Sequence, residues 1–145
     1  MRIIAPITFI VLAALVVGLS VCAPATLAEN GFLKGFINHE ILNILAVIVT
    51  ITIASIATIH IWFNELEEKH GKKVFGKARR EINSSAFWLL GLFLVALLLL
   101  IVRAYFENSP VGLSLFNGFA LMILIANILI LIDIMGVVKS LTPDD

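Results

Sequence analysis

Long apolar runs broken by only a few polar residues constrain this chain more than any other feature. They fall at 3–28, 41–63, 86–106 and from about 111 to 138. A helix needs about 20 predominantly apolar residues to cross the hydrocarbon core, because each backbone polar group must be satisfied within its own segment. The last three runs meet that length without an internal proline. The fold expected is therefore all-α: an integral membrane bundle with transmembrane helices at about 41–63, 86–106 and 113–138.

The first run carries two readings. Arg2, a long apolar stretch and the small residues Ala23, Ala25 and Ala28 form the pattern of a secretory signal peptide, with cleavage expected after Ala25 or Ala28. Its apolar stretch is long and its basic region thin for that role, so 1–28 is either a signal peptide or an N-terminal transmembrane helix. Residues 29–145 then form a single membrane domain.

Composition excludes much else. With 61% hydrophobic residues, 14% charged residues and a mean hydropathy of +1.09, the chain is far more apolar than a soluble domain, which carries about a quarter charged residues. No separate soluble catalytic domain fits in the remaining length. Net charge is zero, so no field recruits nucleic acid. The single cysteine, Cys22, excludes an intramolecular disulfide framework; Val21 before it departs from a lipoprotein signal, which leaves a thiol buried in an apolar segment.

Charge placement predicts orientation. Of ten Lys and Arg residues, eight lie in Arg2, the 64–85 segment and Lys139, leaving Lys34 and Arg103 toward the other face. Basic connections stay in the cytoplasm, so the charged loop 64–85 and the C-terminus are expected inside, with 29–40 and 107–110 outside, in a bacterial inner membrane. Trp62, Phe63, Phe87 and Trp88 are expected near the inner headgroups, Tyr105, Phe106 and Phe116 near the outer ones. Residues 107–112 contain Pro110 and Gly112 and are too short for anything but a turn joining the last two helices as a hairpin.

Within 64–85, Glu65 with Lys69 and Glu68 with Lys72 are spaced to extend the preceding helix to about Gly71. Val74, Phe75, Ala78 and Ile82 recur at helical spacing opposite charges, which predicts a short amphipathic helix at the membrane surface. Asn83-Ser84-Ser85 then reads as the N-cap of the next span.

The polar inventory offers little chemistry. His39 and His60 lie about 30 Å apart along one helix and cannot share a metal or haem. Arg103 is expected to snorkel to the headgroups, and Glu40 to favour a helix N-terminus. Asp133 stands in an apolar run near a membrane boundary, where an ion pair or proton coupling are the two roles open to it. There is no nucleophile–base set, no HExxH and no phosphate loop, so an enzyme is not expected, and no cofactor is called for.

Packing residues are more informative. His39, Asn43, Ala46, Thr50, Ala54 and Ala57 share one stripe at 100° per residue, with Thr58 beside it. Asn127, aligned with Ala120, is expected at the depth of Ala54, predicting a seam between these two helices, within one chain or between protomers, in which Asn127 reaches Thr50 or Thr58. Function read from these features is a small membrane interaction or accessory protein, a homo-oligomer or attached to another membrane protein, with the lipid bilayer as its surroundings. The alternative is a small oligomeric transporter or holin-like pore using Asp133 and Asn127.

Overall fold

The computed structural model describes residues 4–70 and 75–139, and every element in them is helical. In chain order these are α1 (Ile4–Cys22), α2 (Ala25–Ala28), α3 (Gly31–Phe36), α4 (His39–His70), α5 (Gly76–Ile101), a 3₁₀ turn (Arg103–Tyr105) and α6 (Pro110–Lys139). Helices α4, α5 and α6 are each long and apolar enough to cross a membrane, and α1 adds a shorter apolar helix. The expected all-α membrane bundle is what the chain forms. Arg2, Gly71, Lys72, Val74 and the C-terminal tail lie outside the described residues.

Helix ends follow from local chemistry. Asn30 caps α3 by accepting from the Leu33 amide at 3.1 Å. Asn38 serves two helices at once: its Nδ2 donates to the Gly35 carbonyl at 2.6 Å, and its Oδ1 accepts the Glu40 amide at 2.8 Å. One side chain thereby answers an orphan carbonyl of α3 and an orphan donor of α4. Glu40 occupies the first turn of α4, where a carboxylate favours the positive end of the helix. Ser109 accepts the Gly112 amide at 3.1 Å, and Pro110 opens α6 with a nitrogen that needs no partner.

The charged segment extends α4 as its Glu–Lys spacing leads one to expect, and departs from expectation after that. α4 runs on to His70 and α5 begins at Gly76, so 64–85 is mostly two helix ends joined by a short connection rather than a loop. Asn83, Ser84 and Ser85 are inside α5 and cap nothing. The reason is that residues from Gly76 onward already have something to pack on: Ile82 is 1% exposed within a cluster that includes Phe63, Val49 and Ile134. The surface helix expected over 74–82 is likewise absorbed. Phe75 stacks on Phe63 with centroids 4.6 Å apart, so its ring meets protein, not lipid headgroups.

α6 is the central helix. It packs against α1 and α2 on one flank and α5 on the other, and touches α4 only lightly, while α4 packs chiefly on α5. Two apolar clusters fill the contacts. One lies at the α2–α3 end, built on Leu27, Ile37, Ile41, Leu45, Phe116 and Ile123; the other lies at the charged end around Phe63. α4 gives one face to them, through Ile41, Leu45, Val49, Thr52, Ile56 and Phe63. Elsewhere the long helices expose large aliphatics such as Ile51, Leu94 and Leu98, as a lipid-facing surface requires.

Candidate functional site

Polar side chains gather in three places, and none of the three is a cleft with convergent reactive groups. The first is the charged end, where α4 and α5 are clamped. Arg79 Nη2 donates to Asn64 Oδ1 at 2.8 Å and to Glu67 Oε2 at 3.0 Å, while Glu67 Oε1 accepts the Phe75 amide at 3.0 Å. The guanidinium also lies 5.6 Å from the centroid of the Phe63 ring. One turn deeper, His60 Nε2 and Asn83 Oδ1 are 2.8 Å apart, which requires the tautomer with the proton on Nε2 or an imidazolium. His60 is thus a tie between helices. Asn83, which the sequence offers as a cap, is its partner.

Beside this clamp, Asp133 opens on a groove of about 220 Å³ lined by Glu81, Ser84, Ser85 and Val137. Along α4 a second, shallower groove of about 380 Å³ is lined by Ser55, Thr58, Ile59 and Trp62. The Ser55 and Thr58 hydroxyls donate to the Ile51 and Ala54 carbonyls at 2.9 and 3.2 Å, so both are satisfied by their own helix.

The second place is the outward face of α4. Asn43, Thr50, Ala54, Ala57 and Thr58 are all exposed, and Ala46 is half-buried. Thr52, on the opposite side of the helix from the stripe, is the buried threonine, and it donates to the Ile48 carbonyl at 2.7 Å. Among the described residues Asn43 and Thr50 make no side-chain hydrogen bond.

The third place is α6. Asn127 is fully buried, and its Nδ2 donates to the Ile123 carbonyl of its own helix at 2.9 Å; its Oδ1 has no partner. The structure therefore does not bring Asn127 to Thr50 or Thr58 within the chain, because the small-residue stripe of α4 points away from α6. Sequence reasoning passed over Ser114, Asn117 and Gly118, a polar and small set at i, i+3 and i+4 on α6. Asn117 Nδ2 donates to the Leu27 carbonyl at 2.7 Å, across ninety residues of chain.

Two expectations need revision. Arg103 does not simply reach outward: its Nη1 donates to the Ile37 carbonyl at the break between α3 and α4, and its Nε lies 3.6 Å from Glu107. The break between α3 and α4 leaves that carbonyl without a helical partner, and the guanidinium supplies one. Cys22 is exposed, not buried.

Among the described residues no group of three His, Cys, Asp or Glu side chains is placed to hold a metal ion. The polar groups of this all-α membrane bundle cap helices, tie them together, lie on an outward face or, as with Ser114 and Asn127, are buried along α6. Comparison with protein-family models, curated proteins and solved structures finds no match for the chain.

Proposed function

We propose that the protein is a small, non-enzymatic membrane interaction protein that self-associates through the outward face of α4. The observation that carries this reading is the contrast on that helix. The face with Ile41, Leu45, Val49 and Ile56 is used within the chain, while Asn43, Thr50, Ala54 and Ala57 stand unused among exposed aliphatics such as Val47 and Ile51, on a helix at the edge of the bundle. In lipid, helices associate through close backbone approach over small residues and through interhelical hydrogen bonds, not through burial of aliphatic surface. Asn43 and Thr50 bring the hydrogen-bonding groups, and Ala54 and Ala57 permit the approach. Two differently tagged copies should co-purify after gentle detergent extraction, and Ala54→Phe should abolish that. Copies that never co-purify at any expression level would refute self-association.

The same proposal places the chain in a bacterial inner membrane with 64–85 and the C-terminus in the cytoplasm, on the strength of the Lys and Arg asymmetry. Without Cys22, Lys72→Cys should be protected from an impermeant thiol reagent in intact cells and Ser109→Cys should be labelled. The reverse pattern would invert the topology.

A second reading rests on Asp133. Its groove joins two carboxylates and two serine hydroxyls at the charged end of the bundle, which suits a path for protons or small cations. In that case reconstituted protein would dissipate a pH gradient and Asp133→Asn would stop it.

A further inference from the structure

We infer that residues 4–28 are a permanent side of the bundle, not a removable leader: α1 and α2 cover the polar face of α6, and the mature protein retains them. The argument starts on α6. Ser114, Asn117 and Gly118 are all buried; the side chains nearest a Cβ on Gly118 and the acceptor of the Asn117 amide belong to the N-terminal segment. A Cβ built on Gly118 would collide with Val16, and would lie 3.6 Å from Leu27 and 3.7 Å from Ser20 Oγ. Glycine at 118 is what lets α1 approach so closely, in the manner of small-residue contacts between membrane helices. Ser20 is itself fully buried, and Asn117 holds the Leu27 carbonyl. Without residues 4–28, α6 would present an asparagine amide, a serine hydroxyl and a bare glycine backbone to lipid, where polar groups need partners.

Both candidate cleavage points fall at a helical turn in the folded chain. Pro24 is in the α region, Ala25–Ala28 is a helical turn, and Ala28 is 2% exposed. Nicking concentrates at exposed, loosely held loop tips; Ala25, Thr26 and Glu29 are exposed, but Ala25 and Thr26 belong to a helical turn and Leu27 and Ala28 are buried. Leu27 also belongs to the apolar cluster at the α2–α3 end, so a cut after Ala28 would remove a member of the core.

A topological consequence follows. Val16 and Ser20, near the end of α1, lie beside Gly118, near the start of α6, so the two helices run antiparallel. At 1.5 Å per residue α1 is about 28 Å long, close to the thickness of the hydrocarbon core. The bundle then crosses the membrane an even number of times, and the start of α1 lies on the same side as the end of α6.

The test is the intact mass and N-terminal sequence of the full chain, produced with its own N-terminus and a C-terminal tag and purified from membranes. Residues 1–28 should still be attached. A mature chain beginning at Thr26 or Glu29 would overturn the inference. Packing is checked separately with Val16→Cys and Gly118→Cys in a Cys22→Ser background. After oxidation and proteolysis in the 71–75 connection, the two fragments should stay joined until reduced. A full-length chain whose fragments separate without reductant would show that α1 does not lie on α6 as described.

Discussion

α4 and α6 are nearly the same length, 32 and 30 residues, and similarly apolar over the stretch that can cross a membrane, yet they treat their polar residues in opposite ways. α6 buries Ser114, Asn117 and Asn127, whereas α4 buries Thr52 and leaves Asn43, Thr50, Ser55 and Thr58 outside. Hydropathy cannot distinguish such helices. What separates them is position: α6 has neighbours on both flanks, and α4 has an edge. In lipid a small or polar stripe marks a place of close approach, but the stripe alone does not say whether the approaching helix belongs to the same chain.

That contrast can be broken by substitution. The largest effect is expected at Gly118, where leucine would be driven into Val16 and could be accommodated only by moving α1. A loss of about 3 kcal/mol or more is expected, read as reversible unfolding in mixed micelles. Gly118→Leu with wild-type stability would mean that α1 does not pack there. Asn117→Leu is expected to cost about 1 to 2 kcal/mol in the same measurement, since it removes the bond to the Leu27 carbonyl and leaves that acceptor in an apolar setting.

Asn127→Leu sharpens the comparison by being mild. Its amide returns to its own helix at Ile123, so no interhelical bond is lost and the cost should be about 0.6 kcal/mol or less. A loss of about 2 kcal/mol would reveal an interhelical partner and restore the seam expected from the sequence. Smallest of all should be the effect of Ala54→Phe on the stability of an isolated chain, because the side chain projects from an exposed position. The same substitution should eliminate self-association.

Spans and connections were legible in the sequence because a membrane helix must satisfy its own backbone, which leaves long apolar runs as a direct signature. Helix ends were legible only in part: the Glu–Lys spacing carried α4 to about Gly71, but the start of α5 was missed. The run ending at Phe63 continues to His70 because α4 and α5 stay in contact beyond the apolar segment, through Arg79, Glu67 and the Phe63–Phe75 stack. Asn83-Ser84-Ser85 resembles a cap, but Asn83 instead meets His60, a pairing across twenty-three residues that no local pattern encodes. The stripe on α4 was readable. Its partner was not, because Asn127 is equally consistent with either flank of α6 until the position of α1 is known. Ser114, Asn117 and Gly118 did leave a signal at helical spacing. Recognising it required treating residues 4–28 as a helix to be packed.

The central claim is that α4 completes itself against a second copy, and a cysteine scan tests it most directly. Single cysteines at each position from 43 to 58, in a Cys22→Ser background, are oxidised in membranes and scored for covalent dimers. Cross-linking is expected to rise and fall with the helical period, strongest at Asn43, Thr50, Ala54 and Ala57 and absent at Leu45, Val49, Thr52 and Ile56. Uniformly low cross-linking, or maxima on the buried set, would contradict it.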